Sequence, residues 1–216
     1  IFGNFIGDKI GSIKEFSYIE YIIPGLIIIP IITNSYMNVV GSFYSGRFQK
    51  STEELLVSPV PNWIILVGYV SGGVLRALIV GFAVYVVTIF FIDIPIHNIP
   101  FVLFITLLTA FLFSIAGFIN AAYAKSFDDI NIVPTFVLNP LTYLGGTFYS
   151  IESLPQIWQD VSLFNPIAYI VSVFRYGFLG LEETSIYVSL TIIIVFIIIL
   201  FKIGLIMLEK GIGIKN

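Results

Sequence analysis

The sequence predicts an all-α, polytopic transmembrane helical bundle, and three observations carry that prediction. Hydrophobic residues fill 58% of the 216 positions and charged residues only 11%, where an ordinary soluble domain has roughly 25% charged residues. Surface-to-volume scaling leaves a soluble fold of this size too much surface to hide so much apolar area. The charges also cluster, and several uncharged gaps between clusters reach the about 20 residues that a helix needs to cross the hydrocarbon core. Cysteine is absent, which removes disulfides, thiolate metal sites and cysteine nucleophiles.

The gaps give the elements in order. The chain opens on Ile1 rather than Met, so IFGNFIG is expected to close an earlier span of a trimmed chain. The first gap supports a span at 21–45. The second runs from Glu54 to Asp93 and is broken only by Arg76. Once Pro59 and Pro61 are set aside, neither side of Arg76 is long enough alone, so one helix at about 62–91 is expected. A third span follows Pro100 at 101–123, and a fourth at 131–151 contains Pro134 and Pro140. The last, 186–208, is almost pure Ile, Val, Leu and Phe, with Lys202 placed to snorkel near its end. Between the last two lies 152–179, apolar in two short pieces and punctuated by Glu152, Asp160 and Arg175. A re-entrant helical hairpin on the outer side, its backbone covered by neighbouring helices, suits it better than two crossings.

Orientation follows from the loop cations. With 46–60 inside, Arg47, Lys50, Lys125, Lys210 and Lys215 face the cytoplasm, while Lys9, Lys14 and Arg175 face outward. The cytoplasmic segment GRFQKSTEELLVSPVPNW then has a local logic. Ser51 and Glu54 have the spacing of a capping box, which starts a short helix at about 51–58. Pro59 and Pro61 stop it, and Trp63 suits the membrane interface. This helix either joins two spans along the interface or docks a soluble partner.

Polar residues inside the spans are few. Asn34, Asn38, Gly41 and Ser45 recur at helical spacing and either line a polar path or bond neighbouring helices. Gly68, Gly72 and Gly73 form a small-residue face leading to Arg76. A charge in a span is costly and faces protein or water, so Arg76 is either a contact for an anionic substrate or head group, or a structural ion pair or snorkelling cation. Thr106, Thr109, Gly117 and Asn120 make a weaker stripe. No phosphate-cradling G-x-x-x-x-G-K-[ST] loop occurs. His97 reads as a solvated loop residue, and Asp128-Asp129 as a solvated cap for the next helix. No catalytic, cofactor-binding or metal-binding residue is expected, and no cofactor.

Two stretches resemble a known family. GRFQKSTEELLVSPVP, following a polar-striped helix, resembles the first cytoplasmic loop of ABC-2 type permeases, the membrane subunits of ATP-binding-cassette exporters. Residues 138–175, LNPLTYLGGTFYSIESLPQIWQDVSLFNPIAYIVSVFR, are similar to the family signature in Leu138, Leu141, Leu144, Gly145, Leu154, Pro155, Asn165, Pro166, Tyr169 and Arg175. Thr147 stands where the family pattern has a small or aliphatic residue. KSFDDINIVPTFVLNPLTYLGG resembles the YadH-like branch of bacterial inner-membrane transport permeases.

The resemblance implies a single ABC-2 type transmembrane domain over 1–216, with five of six spans present and the first largely missing. It implies a multi-pass permease of the bacterial inner (plasma) membrane, working as a homodimer with two copies of a separately encoded ABC ATPase subunit. Membrane lipid surrounds it and nucleic acid has no part. The helix at 51–58 becomes a coupling helix, with Phe48, Glu53, Glu54, Leu55 and Leu56 as ATPase contacts, and 124–130 adds a smaller one. Asn34, Asn38 and Arg76 are candidates for the translocation path, and 152–179 for the outer gate. The exported solute would be a drug, a lipid or a polysaccharide. The competing classes are an ATPase-independent transporter or channel and a non-transporting scaffold. No inverted repeat and no acid deep in a span favours an ion-coupled carrier.

Overall fold

The computed structural model describes residues 12–13, 16–52, 54, 58–92 and 96–212. A short antiparallel pair, β1 (Ser12–Ile13) and β2 (Phe16–Ser17), sets Ile13 opposite Phe16 and leads into the bundle. The helices follow as α1 (Tyr18–Phe48), α2 (Asn62–Ile89), α3 (Ile99–Tyr123), α4 (Asp129–Val133), α5 (Asn139–Leu144), α6 (Gln156–Ser162), α7 (Pro166–Leu179) and α8 (Ile186–Lys210). Among the described residues, four of these, α1, α2, α3 and α8, are long and apolar enough to cross a membrane. The chain is therefore the all-α membrane bundle that its composition predicts.

Local chemistry sets the helix ends. Ser17 caps α1 in a complete capping box: its Oγ accepts from the Glu20 amide, and Glu20 Oε2 accepts from the Ser17 amide at 2.8 Å. α1 then continues through Pro24 and Pro30, which a helix enclosed by other helices tolerates. Asn98 caps α3 by accepting from Phe101 N at 3.0 Å. Gly180 and Gly211 end α7 and α8 in the left-handed region, at φ 72° and 65°.

The segment read from the sequence as a span at 131–151 is helical only from Asp129 to Leu144. Its middle, Pro134–Leu138, widens into a π-helical turn between α4 and α5. Pro134 and Pro140 lack the amides that a regular α-helix would use there. Gly145 and Gly146 then release the chain, Gly146 with φ +72°. The segment expected as a hairpin is α6 and α7, joined through Leu163–Asn165.

α1 and α3 form the centre and pack on each other along most of their length. α2 buries only one narrow stripe, Ile65, Leu66, Val70, Gly73, Ala77 and Gly81. α8 lies across α3 and α7 and is likewise exposed on most of its surface. The central contact is close: a Cβ added to Gly117 of α3 would overlap the carbonyl oxygen of Tyr36 on α1. Around Gly41, by contrast, a Cβ would meet nothing within 4 Å.

Gly117→Val should therefore force α1 and α3 apart and lower stability by about 1–3 kcal/mol. Gly41→Ala should change it by no more than about 0.5 kcal/mol. Thermal unfolding of the detergent-purified variants, followed by size exclusion, checks both; equal melting temperatures would contradict the central packing.

Candidate functional site

Three groups of residues stand out: at the end of the bundle that the loop cations are expected to place inside, called the inner end, at mid-span, and at the opposite, outer end. At the inner end α1 stops at Phe48, and Lys50 turns the chain in the left-handed region with φ 61°. The Lys50 amide donates to Arg47 O at 3.0 Å, and Ser51 Oγ donates to Gly46 O at 3.1 Å. Arg47 reaches across to the end of α3, where its Nη1 donates to the carbonyls of Ala121, Ala122 and Ala124 at 2.6, 3.1 and 3.1 Å. Those carbonyls lie where the helix leaves acceptors without amide partners and carries its negative dipole end. Tyr44 OH donates to Lys125 O at 3.3 Å. The Phe127 ring packs against Tyr44 and Phe48, with centroids 4.8 and 5.7 Å apart.

Phe48 and Phe127 nevertheless stay 72% and 53% exposed. They form an exposed apolar patch at the end of the bundle, fixed from beneath by Arg47 and Tyr44. Of the other expected ATPase contacts, Glu54 is exposed, while Glu53, Leu55 and Leu56 lie outside the described residues. The 124–130 loop is itself ordered by a cap. Asp129 Oδ2 accepts from the amides of Lys125 and Ser126 at 2.9 and 3.0 Å, and Ser126 Oγ accepts from the Asp129 amide. The Lys125 amide, then the Ser126 hydroxyl, hold the Asp129 carboxyl below the usual carboxylate range.

At mid-span α1 and α2 run antiparallel in a register fixed by two contacts. A Cβ on Gly72 would sit 3.5 Å from Asn38 Oδ1, and one on Gly81 would sit 2.9 Å from Ile31. One helical turn from the Asn38–Gly72 contact, Asn34 comes level with Arg76. Asn34, Asn38, Gly41 and Ser45 are half-buried along one side of this crossing, and Gly68, Ser71, Gly72 and Arg76 are exposed. Asn34 Nδ2 donates to Pro30 O at 3.0 Å and Ser71 Oγ to Gly68 O at 2.7 Å. The Asn38 and Arg76 side chains make no hydrogen bond or ion pair among the described residues. The three candidate path residues thus share one open seam. The α3 stripe differs: Thr106 and Thr109 are buried, and Asn120 Nδ2 donates to Ile130 O at 3.0 Å. It is interior packing.

At the outer end Arg175 is 1% exposed and ties four segments together. Its Nε donates to Tyr21 O on α1 at 3.2 Å, and Nη2 to Gly146 O in the turn after α5 at 2.9 Å. Nη1 pairs with Glu183 in the loop before α8, and the guanidinium lies 3.8 Å from the Tyr21 ring centroid. Tyr21 OH donates to Glu183 as well. The cation counted with the outer loops is therefore a buried clasp. Tyr21 and Glu183 are the partners that sequence reasoning missed. The only local signal for them is an arginine inside an apolar run with Glu182-Glu183 a few residues on.

The remaining signature residues pin the α6–α7 hairpin. Asn165 caps α7 by accepting from Ile167 N at 3.0 Å, and its Nδ2 donates to Leu141 O at 2.6 Å. Pro166 opens α7, and Tyr169 OH donates back to Leu163 O at 2.8 Å. Pro155 precedes α6, and Leu154 O accepts from Gln159 Nε2 at 2.8 Å. Gly145 leaves room for Ile167, whose Cγ2 would lie 2.9 Å from a Cβ there. Thr147 is fully buried, and its hydroxyl is satisfied by Thr142 O at 2.9 Å. That bond lets a polar residue stand at a position where the family pattern has a small or aliphatic one.

Comparison with known proteins bears on the whole chain. Residues 1–179 match the family described as ABC-2 type transporter. Over 216 residues the chain is 49% identical to the inner membrane transport permease YadH of Escherichia coli (strain K12), covering 100% of this chain and 84% of that protein. Nodulation protein J of Rhizobium leguminosarum bv. viciae is 21% identical over 209 residues, 96% of this chain and 81% of its own length. The protein of that name from Rhizobium meliloti (strain 1021) is 25% identical over 179 residues, 82% of this chain and 68% of its own length.

Removing one partner of a buried ion pair leaves the other charge uncompensated. Arg175→Gln should therefore cost about 3–5 kcal/mol. The Arg175→Gln, Glu183→Gln double variant should cost less than the sum of the two single ones. Thermal unfolding of the three variants measures this; additive effects would contradict a clasp built on that pair.

Proposed function

The chain belongs to the ABC-2 type transporter family, and from that premise we propose that it is the membrane-spanning subunit of an ATP-driven exporter powered by a separately encoded ATPase. It is a multi-pass transport permease of the inner membrane. Two copies pair to enclose the path, and each copy engages one ATPase subunit. The sequence carries no phosphate-cradling loop of its own, so on this reading the energy is borrowed.

The observation that carries the proposal is the exposed aromatic pair Phe48–Phe127, held by Arg47 to the end of α3. An ATPase groove closing on Phe48, Glu53, Glu54, Leu55 and Leu56 would grip the segment directly after α1. The Arg47 bonds and the tight turn at Lys50 then leave little slack between that grip and the two central helices. Displacement of the segment is passed to α1 and α3 together, because their backbones touch at Gly117. The seam with Asn34, Asn38 and Arg76 faces the path, and the α6–α7 hairpin, held by Arg175, closes its outer end. The cargo is a drug, a lipid or a polysaccharide.

The test is co-expression with candidate ABC ATPase subunits from the same genome. Phe48→Asp, Glu54→Lys and Leu55→Asp should each reduce co-purification and permease-dependent ATP hydrolysis, the most sensitive by about tenfold or more, at an unchanged melting temperature. Retention of both the complex and its coupled transport in all three variants would overturn the coupling assignment.

A further inference from the structure

Arg76 stands near the midpoint of α2, a helix of 28 residues that rises about 42 Å at 1.5 Å per residue. With α2 centred on the bilayer, a cation there lies about 15 Å from either edge of the hydrocarbon core, a long reach for an arginine stem to snorkel. It is exposed and has no side-chain partner among the described residues. Nor do the four membrane-length helices supply a carboxylate at that depth. Glu20 sits in the outer first turn of α1 and Glu209 in the inner last turn of α8, and no other Asp or Glu falls within α1, α2, α3 or α8. A second copy of the chain brings the same spans and the same lack of acid. Pairing between copies through these four helices therefore brings no intramembrane carboxylate to Arg76, which leaves its charge open to an anion from outside them.

The surroundings suit an anion. Asn38 lies one helical turn away across the crossing, its amide unpartnered, and Gly72 keeps the space beside it open. Towards the inner end the seam stays small and polar through Gly41, Ser42, Ser45, Gly68 and Ser71. Towards the outer end it turns apolar through Leu26, Ile29, Ile79 and Ala83. Arg76 marks the boundary between the two halves. We propose that Arg76, assisted by Asn38, receives the phosphate or carboxylate group of an anionic amphiphile, whose apolar part lies along the outer half of the seam. The guanidinium can donate two parallel hydrogen bonds to such a group, and the Asn38 amide a third. The inference rests on the seam facing the path, and it narrows the cargo to a charged amphiphile.

Binding can be measured without any ATPase, so its failure and a failure of ATP coupling are separate results. The probe is radiolabelled dodecyl phosphate, added to the permease in phosphatidylcholine nanodiscs. Saturable binding is expected, weakened about tenfold in Arg76→Gln and held within about threefold in Arg76→Lys, which keeps the charge but loses the paired bonds. Dodecyl glucoside, which is neutral, should not compete. Competition by inorganic phosphate as strong as by dodecyl phosphate would leave the apolar half of the seam without a role and would overturn the amphiphile assignment. Gly72→Leu fills the space beside Asn38 without touching the charge and should also weaken binding, which covers the case of an Arg76→Gln variant that does not fold. Binding unchanged in Arg76→Gln, or unchanged in Gly72→Leu if that variant alone folds, would overturn the proposal, as would equal competition by dodecyl glucoside.

Discussion

A polar group inside a bilayer finds no water, so it must be satisfied within the protein or mark a place where something else reaches it. This chain meets that requirement with its three arginines, Arg47, Arg76 and Arg175. Arg47 fills the open carbonyls at the inner end of α3. Arg175 gathers Tyr21, Gly146 and Glu183 at the outer end. Both are spent on bonds that hold the bundle together. Arg76, near the middle of its helix, has none among the described residues.

That distribution divides the molecule into a held part and an open part. Arg47 clasps α1 to α3 at the inner end, Arg175 ties the outer end of α1 to α7, and α1 and α3 meet closely between, at Gly117. A pull on the segment after α1 therefore cannot be absorbed by local slack. α2 leaves the bundle along one narrow stripe and shows its polar side outward. The inner clasp thus suits force transmission and the outer clasp suits closure. The seam between α1 and α2 suits contact with a solute.

Much of the fold was legible in the sequence because hydrocarbon imposes so simple a rule. Long uncharged runs must be helices, and the runs around α1, α2, α3 and α8 are hard to read otherwise. Ser17 with Glu20 and Ser126 with Asp129 have the capping spacing, though the caps read from the sequence were Asp128-Asp129 and Ser51 with Glu54, and Ser51 Oγ donates to Gly46 O instead. The end of the segment beginning at Asp129 was not legible, since a π-helical turn and a glycine release depend on what packs around Pro134 and Gly146. The Arg175 clasp was hidden for a different reason. Tyr21 lies 154 positions away, and no local pattern joins the two. The seam residues Asn34, Asn38 and Arg76 were visible as anomalies in apolar runs, but their shared level follows only from the antiparallel register of α1 and α2.

The central claim is that the anchored aromatic patch at Phe48 and Phe127 is where an ATPase takes hold. The chain has no native cysteine, so single cysteines at 48 and at 127 can report on that contact directly through cross-linking to the ATPase in membranes. An ATPase adduct from both positions, with a yield that changes when ATP is bound, is the expected result. Labelled cysteines at both positions that form no ATPase adduct in a complex still hydrolysing ATP would contradict the account.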